Sequence, residues 1–193
     1  MGNIKIRKVQ AGDAAALLAI YAPYVKETAI SFEYEVPTLE EFTQRMQKIQ
    51  KMYPYLVAEL DGKLVGYAYA GRFHSRAAYG WNAEMTVYLD KDSRGIGIGQ
   101  KLYDLLERIL KEQGIVNAAA LITPPDQEED PSVYNSKHFH EKMGYKLAGE
   151  LENCGYKFNR WHKTIMMNKV IGEPKPNMQP IKSFCEVREK FGI

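Results

Sequence analysis

A strand, a glycine-rich turn and a helix follow one another between residues 84 and 113, and this order restricts the fold most. Polar and apolar side chains alternate in residues 84–89 (EMTVYL), which is the period of a half-buried strand. Asp90–Ser93 end that strand. The run RGIGIG (94–99) then leads into KLYDLLERILKEQG, whose apolar residues have helical spacing. A glycine turn before a helix leaves backbone N–H groups open to phosphate. We therefore predict a phosphate site here.

The glycine turn has the pattern R-x-x-G-x-G, which differs from the two best-known phosphate-binding motifs. It is not a P-loop, because Lys101 is followed by Leu102 and the glycine spacing differs. It also contains no G-x-G-x-x-G. The alternative is an ordinary tight turn. The position between a strand and an amphipathic helix favours phosphate binding over that alternative.

Several of these residues together resemble a known acetyl-CoA site. Glu84, Val87-Tyr88-Leu89 and the RGIGIG turn are similar to the corresponding residues of the GNAT superfamily of N-acetyltransferases. The later run HEKMGY (140–145), then Gly155-Tyr156-Lys157 and Trp161, with Arg76-Ala77-Ala78-Tyr79, resembles its phosphinothricin and methionine-sulfoximine acetyltransferase branch. The resemblance covers roughly residues 3–168.

The resemblance implies transfer of an acetyl group from acetyl-CoA to an amine, with no metal ion. It also implies which residues hold the cofactor. These are Val87, Tyr88, Leu89, Arg94, Gly95, Ile96, Gly97, Ile98, Gly99, Gln100 and Asn135. The branch usually has an asparagine seven positions before the histidine of HEKMGY, where this chain has Val133. Asn135 is the nearest substitute, and the alternative role for it is to cap the following helix.

Glu84 is the candidate general base. An amine must lose its proton before it attacks a thioester, and a carboxylate can accept that proton directly or through water. The matching glutamate is the proposed base in the family that the chain resembles. The alternative is a structural salt bridge from Glu84 to Arg72 or Arg76.

Three further roles concern the thioester and the leaving group. The backbone N–H groups of Val87 and Leu89, where the sheet opens, are expected to pair with the pantetheine arm and polarise the thioester carbonyl. His140 occupies the position from which the family's leaving thiolate receives its proton. The alternative for His140 is a packed, hydrogen-bonded histidine. His138 and His140 point to different sides of a helix, so a metal pair is not expected.

The loop before the Glu84 strand is the candidate acceptor site. Arginine suits a carboxylate or phosphinate, so the loop's two arginines are candidate clamps, with solvated arginines as the alternative. Lys157 is a candidate for contact with substrate or a partner subunit, and Trp161 for an apolar wall. The residues predicted to bind the acceptor are Phe32, Arg72, Arg76, Ala77, Ala78 and Tyr79.

The composition is that of an ordinary soluble domain. The 193 residues are 45% hydrophobic and 26% charged, with a net charge of +2, so no nucleic-acid or membrane partner is indicated. Cys154 and Cys185 match no disulfide scaffold and no metal spacing. The N-terminus has no signal-peptide core and no apolar run spans a bilayer, so we expect a cytoplasmic protein.

The fold class is predicted as α/β. We expect a helix from Ala14 to about Tyr24, capped by Gly12-Asp13, and a second helix to about Met52 that starts at a capping box of Thr38 and Glu41. A hairpin turn is expected at Asp61-Gly62, and a short helix within Lys182–Phe191. Further strands are expected at 116–122, 145–151 and 163–169. The resemblance implies a GNAT fold with one mixed sheet that splays open near Leu89. We assign residues 1–171 to the acetyltransferase domain and 172–193 to an extension packed on the surface or on a partner, and we expect a homodimer.

The function predicted is N-acetylation of a small amino-acid-like amine by direct transfer in a ternary complex. The two loop arginines favour an anionic acceptor. Acetylation of a protein N-terminus or of a polyamine is the competing activity. The acidic run Asp126–Asp130 is the feature that would suit a cationic polyamine as the acceptor. A CoA-binding regulatory module without turnover is the non-enzymatic alternative, which the presence of Glu84 and His140 disfavours.

Overall fold

The computed structural model describes residues 2–124 and 136–193, which form a single seven-stranded sheet with helices on both faces. The strand order is β1-β2-β3-β4-β5-β7-β6. Every neighbouring pair is antiparallel except β4 and β5. The strands are β1 (Ile4–Lys8), β2 (Tyr55–Leu60), β3 (Lys63–Arg72), β4 (Asn82–Leu89), β5 (Asn117–Ile122), β6 (Lys146–Lys157) and β7 (Arg160–Val170).

Two groups of helices enclose two apolar cores. On one face α1 (Ala14–Glu27) and α2 (Leu39–Gln50) pack against β2, β3 and β4. On the other face the core contains side chains of α3 (Ile98–Gln113), α4 (Ser136–Lys142) and α5 (Phe184–Val187). Short 3-10 turns lie at Ala11–Asp13, Ala77–Tyr79, Lys91–Ser93 and Arg188–Phe191. The prediction of one mixed sheet in an α/β fold is confirmed.

The sheet opens between β4 and β5, the one parallel pair of strands among the described residues. β4 pairs with β5 at Asn82, Ala83 and Glu84, and no further pair follows although both strands continue. The opening therefore begins at Met85 and extends along β4 to Leu89, near which the resemblance implied it. Backbone groups of β4 in this stretch face a gap instead of a neighbouring strand.

Two local sequence signals behave as predicted. Asp61 and Gly62 have φ angles of 50° and 85° and join β2 to β3 in a two-residue hairpin. Thr38 Oγ1 accepts from the Glu41 N–H at 3.2 Å, and the Glu41 carboxylate accepts from the Thr38 N–H at 2.8 Å. This capping box starts α2.

The predicted cap of α1 is wrong. The Asp13 side chain makes no cap hydrogen bond and instead accepts from Arg7 Nη1 at 2.7 Å and from the Gln10 N–H at 2.7 Å. A charged partner on β1 therefore outcompetes the local cap, and a 3-10 turn precedes the helix. The helix also continues three residues beyond the predicted end, to Glu27.

The last two strands are longer than predicted and form a hairpin. β6 and β7 pair as far as Lys157 and Arg160, and the two residues between them, Phe158 and Asn159, have φ angles of 53° and 60°. A turn of this kind usually carries glycine, and its absence here concealed the hairpin in the sequence. The hairpin brings residues 155–164 beside the loop that follows α1.

The residues after Gly172 pack on the same chain. Trp81 Nε1 donates to the Gln179 carbonyl at 2.9 Å, and Gln113 Nε2 donates to the Lys182 carbonyl at 2.7 Å. Phe184 and Val187 are buried in the α3 core. The short helix expected near residues 182–191 is present as α5 followed by a 3-10 turn. None of the helices in the described ranges has the length and apolar content needed to cross a membrane.

Candidate active site

The glycine turn presents the start of α3 to a cleft. Gly95 and Gly97 have φ angles of 77° and 85°, which L side chains rarely adopt, so glycine is required at both positions. Gly97 is the N-cap of α3, where it has no side chain to occupy the first N–H groups of the helix. Gly99 lies against Phe139 of α4. The free N–H groups and the helix dipole together favour an anion at this end.

A cleft of about 490 Å³ lies over this helix start. It is lined by Tyr24, Ile30, Val87, Leu89, Arg94, Gly95, Gly97, Ile98, Gly99, Gln100, Thr123, Ser136, His138, Phe139 and Lys142. Most of the predicted cofactor residues are therefore brought together. Tyr88 and Ile96 are not part of the lining, and Ile96 is half exposed. Asn135 lies outside the described residues.

The Tyr24 side chain hydrogen-bonds both backbone groups of Leu89. The Tyr24 hydroxyl donates to the Leu89 carbonyl at 2.5 Å and accepts from the Leu89 N–H at 3.2 Å. Arg94 Nη2 also donates to this hydroxyl, at 3.0 Å. The expectation that the Leu89 N–H is open to a ligand is therefore wrong in this structure. Backbone groups alternate in direction along a strand, so the N–H of Val87 points to the same side, into the gap.

A second cavity of about 520 Å³ surrounds Glu84. It shares Ile30, Val87, Thr123 and Ser136 with the cleft over α3, so the two spaces meet at Val87. Its lining is Tyr21, Ile30, Ser31, Phe32, Glu33, Tyr69, Glu84, Met85, Thr86, Val87, Tyr88, Tyr103, Ala120, Leu121, Ile122, Thr123, Ser136, His140, Leu151, Cys154 and Thr164. We call this space the acceptor cavity. A long molecule with an anionic end at α3 would place its other end beside Val87, at the entrance to the acceptor cavity.

Glu84 lies inside the acceptor cavity, and none of the described residues gives it a cationic partner. It shares the strand face of Thr86 and Tyr88, and no ion pair reaches it from the described residues. Among the described residues, Glu84 therefore does not form the alternative salt bridge to Arg72 or Arg76. Burial raises the pKa of the Glu84 carboxyl above its ordinary value. A raised pKa makes the carboxylate a stronger base, as deprotonation of an ammonium requires.

His140 is buried and both of its ring nitrogens are engaged. Nδ1 lies 2.7 Å from the Ser136 carbonyl, which can only accept, so Nδ1 carries a proton. Nε2 lies 3.0 Å from the Tyr103 hydroxyl and accepts from it when the ring is neutral. Burial lowers the pKa of the ring, partly offset by the hydrogen bond to Ser136, which favours the neutral form. Both His140 and Tyr103 line the acceptor cavity.

Lys157 organises the loop that follows α1. Its ammonium is buried and donates to the carbonyls of Val25, Thr28 and Ser31 at 2.7, 2.9 and 2.6 Å. These bonds satisfy all three of its donors and neutralise the carbonyl end of α1. The prediction that Lys157 contacts substrate or a partner is wrong, because its nitrogen has no donor left. Lys157 instead fixes residues 28–33, which form a wall of the acceptor cavity.

Lys157→Met should destabilise the protein by about 3 kcal/mol, because three buried carbonyls lose a charged donor. A loss of that size corresponds to a fall of about 10 °C in the melting temperature for a chain of this length. Lys146→Met is the matched control, since Lys146 lies in the same strand and is exposed. Thermal unfolding of the two variants tests this, and equal melting temperatures would contradict it.

Gly155 has no side chain because Phe32 occupies that space. A Cβ at Gly155 would lie 2.4 Å from the Phe32 ring, closer than any real contact. The ring also lies beside buried His162, with centroids 6.1 Å apart. Phe32 lines the acceptor cavity as predicted. Trp161 is exposed and stacks edge-on with Tyr156, and it is not part of the lining.

The predicted acceptor arginines do not line the acceptor cavity. Arg72 pairs opposite Ala83, whose side chain is buried in the α3 core, so Arg72 points to the face opposite Glu84. This placement contradicts its predicted contact with the acceptor. Arg76–Tyr79 form an exposed turn outside the lining. Among the described residues, no lysine or arginine lines this cavity.

Some site residues carried no readable signal in the sequence. These residues are separated along the chain, and no local motif marks any of them: Tyr24 of α1, Glu33 of the loop after α1, Tyr103 of α3 and Thr164 of β7. They meet only after the sheet and helices pack. In the described residues no group of three or more His, Cys, Asp or Glu is placed to hold a metal ion.

Comparison with known proteins decides the family. Residues 6–166 match the family described as Acetyltransferase (GNAT) domain. The chain is a GNAT acetyltransferase. It is 33% identical to a phosphinothricin N-acetyltransferase of Streptomyces viridochromogenes, over 95% of this chain and 96% of that protein. It is 29% identical to an L-methionine sulfoximine/L-methionine sulfone acetyltransferase of Pseudomonas aeruginosa, over 82% and 90%.

A solved GNAT structure agrees with this assignment. A phosphinothricin acetyltransferase from Sinorhizobium meliloti, in complex with AcCoA, aligns with a TM-score of 0.82 and 29% identity. The alignment covers 94% of this chain and 98% of that chain. This GNAT protein is thus an acetyl-CoA-dependent N-acetyltransferase. The donor set of N–H groups at the glycine turn fits a pyrophosphate.

Proposed function

We propose that this protein acetylates the amine of a small amino-acid-like acceptor of the phosphinothricin or methionine sulfoximine type. The names of its relatives support this acceptor class. The observation that carries the proposal is the meeting of the two cavities at Val87, with Glu84 on the acceptor side. Amine and acetyl-CoA bind together, and the acetyl group passes directly from one to the other.

Glu84 acts as the general base in this proposal. It removes a proton from the bound ammonium, through water, and the free amine attacks the thioester carbonyl. The Val87 N–H donates to the carbonyl oxygen as it becomes negative. Collapse of the intermediate breaks the C–S bond. The acetylated nitrogen loses its second proton to water, and CoA leaves as a thiolate that needs one proton.

The Tyr103–His140 pair supplies that proton in our proposal. Tyr103 donates its hydroxyl proton to the thiolate and is reprotonated by His140, whose Nε2 lies 3.0 Å from the hydroxyl. The lowered pKa of the buried ring keeps His140 neutral between turnovers, so Nε2 takes up a proton from solvent before it returns one to Tyr103. Sequence patterns identified only the histidine of this pair.

His140→Phe and Tyr103→Phe should each lower turnover by about 100-fold, the lower range for loss of a general acid. The double variant should be no slower than either single one, because the two groups act in series. The affinity for acetyl-CoA should stay unchanged in all three. Turnover at the wild-type level in either single variant would show that water protonates the thiolate.

Arg76 lies in an exposed turn outside the lining of the acceptor cavity, so it reaches the acceptor carboxylate only if this turn moves toward the cavity. We keep it as the candidate because it lies in the loop leading into the Glu84 strand. Arg76→Ala should raise the Michaelis constant of the acceptor about tenfold to a hundredfold, the value of a charge-assisted hydrogen bond. The constant for acetyl-CoA should not change. Esterifying the acceptor's carboxylate should raise its Michaelis constant with the wild type by a similar factor. With Arg76→Ala the ester should raise that constant little further. Additive losses would point to another partner.

A thiol-release assay tests the acceptor class. Acetyl-CoA would be incubated with phosphinothricin, methionine sulfoximine, methionine sulfone, common amino acids, polyamines and N-terminal peptides. We expect the amino-acid analogues to release CoA fastest. Preferred use of a polyamine or of a peptide would replace the proposed acceptor by one of the two alternatives.

We further propose a homodimer in a reducing, cytoplasmic setting. Leu121, Leu151 and Val170 are exposed on the β5–β7–β6 face that includes one wall of the acceptor cavity. A second copy packed there would bury this apolar face and close the cavity. Analytical sedimentation of wild type and of Val170→Glu tests the dimer. The variant should shift the equilibrium toward the monomer.

The thiols of Cys154 and Cys185 are both free, which suits the proposed reducing setting.

A further inference from the structure

Glu33 lies between the acceptor cavity and a smaller chamber beneath it. This side chamber has a volume of about 110 Å³, room for a group of a few heavy atoms. It shares Tyr21, Glu33, Tyr69 and Tyr88 with the acceptor cavity, so a side chain entering from the acceptor cavity would pass Glu33. Its other walls are Phe42, Arg45, Met46, Ile49, Tyr55 and Tyr67.

The Glu33 carboxylate is held at one oxygen only. Oε1 accepts from Arg45 Nη1 of α2, whereas Oε2 is buried and has no hydrogen-bond partner among the described residues. Leaving a carboxylate oxygen buried without a donor costs free energy. Such an atom beside a cavity is expected where a ligand supplies the missing donor.

The loop that carries Glu33 is fixed before any ligand binds. Lys157 holds the Ser31 carbonyl at 2.6 Å, and the Ser31 hydroxyl bonds the Tyr21 hydroxyl at 2.6 Å. The Glu33 N–H donates to the same Ser31 hydroxyl at 3.3 Å. A residue held in this way loses little freedom when a ligand binds, so its contact contributes more to selectivity.

A second polar atom in the acceptor cavity also has no partner. Thr164 of β7 is 8% exposed, and its Oγ1 makes no hydrogen bond within the described residues. Its hydroxyl can accept or donate, whereas Glu33 Oε2 can only accept when ionised. The two atoms independently indicate that a polar side chain of the acceptor enters this space.

We propose that Glu33, held by Arg45, selects acceptors whose side chain carries a hydrogen-bond donor. The inference rests on the proposed function and narrows its acceptor class to the methionine sulfoximine type, because the phosphinate of phosphinothricin is anionic and offers no hydrogen-bond donor. Arg45 is the sole lysine or arginine among the described residues lining either space, and it is paired with Glu33. A side chain that only accepts hydrogen bonds would therefore leave Oε2 unsatisfied and face it with a second oxygen.

Methionine sulfoximine and methionine sulfone test this directly. They differ only in an N–H group that replaces one oxygen, so one offers a donor and the other does not. Wild-type kcat/KM should be about tenfold to a hundredfold higher for the sulfoximine, the value of a hydrogen bond to a charged group. Glu33→Gln should abolish the preference, since an amide can also donate to a sulfone oxygen.

Glu35→Gln is the matched control. It removes the same charge from the same loop, but Glu35 is exposed and lies outside both linings, so the preference should persist. The wild-type comparison needs no variant, so it stands even if Glu33→Gln fails to fold. If wild type uses both acceptors equally, this inference fails while the proposed function stands. The same conclusion follows if folded Glu33→Gln keeps the preference for the sulfoximine. If wild type binds acetyl-CoA but uses neither acceptor, the proposed acceptor class fails, and this inference with it.

Discussion

Glu84→Gln should lower turnover by about 10²–10⁴-fold near neutral pH, the usual cost of losing a general base. Glutamine keeps the size of the side chain and much of its hydrogen bonding, but it cannot accept a proton. Glu84 lies in the acceptor cavity, and no ion pair holds it among the described residues. Steady-state assays with acetyl-CoA and the best acceptor measure the effect, with Glu35→Gln as the control.

The pH dependence separates a base from a residue that only positions substrate. Burial raises the pKa of Glu84 above its ordinary 4.5, so wild-type activity should rise with pH through a midpoint above that value. The deficit of Glu84→Gln should shrink as the pH approaches the amine's own pKa, because solvent then supplies the free amine. A constant deficit at every pH, with weaker acceptor binding, would show that Glu84 only positions the acceptor.

The same raised pKa has a consequence for stability. The folded state binds a proton at Glu84 more tightly than the unfolded state, so stability falls as the pH rises from the ordinary value through the raised one. Above that window the ionised carboxylate is a net cost. Glu84→Gln should therefore melt at a higher temperature than wild type at neutral pH and lose this advantage in acid. A lower melting temperature at neutral pH would contradict the assignment of burial as the cause.

Gly97→Glu should weaken acetyl-CoA binding by about 100-fold or more. The substitution removes a glycine that has a φ of 85° and places a carboxylate at the N-terminus of α3. The loss of one or two charge-assisted bonds to the pyrophosphate, together with charge repulsion, accounts for that magnitude. Calorimetric titration with acetyl-CoA measures it directly.

Gly114→Glu is the matched control for this substitution. Gly114 is the C-cap of the same helix, with a φ of 95° and open space around its Cβ position, so backbone strain and added charge are similar. It lies at the opposite end of α3 from the cleft. Its acetyl-CoA affinity should match wild type. Wild-type affinity in folded Gly97→Glu would place the pyrophosphate away from the glycine turn.

Local features of this protein were predictable from the sequence because their causes lie within a few residues. The alternation in β4, the positive φ demanded by the Asp61-Gly62 turn, and the Thr38–Glu41 capping box each depend on short-range geometry. The position of the glycine turn between strand and helix was likewise readable. The one-sheet α/β fold follows from these elements and from the resemblance.

Residues whose partners lie far along the chain were misjudged or missed. Asp13 bonds Arg7 of β1 instead of capping α1, and Arg72 lies on the sheet face opposite Glu84. Lys157 donates to three backbone carbonyls about 130 residues earlier in the chain. A long side chain can reach several partners, and its choice depends on which of them the packing brings within hydrogen-bond distance. No sequence spacing records that choice.

The sequence by itself determined that a strand enters a glycine turn before a helix, and that Glu84 lies on the polar face of that strand. Only the tertiary structure decided what surrounds Glu84. The opening of the sheet after residue 84 creates the space, and the loop held by Lys157 places Glu33 in its wall. Periodicity orients a side chain relative to its own strand, whereas the packing of distant elements decides what it faces.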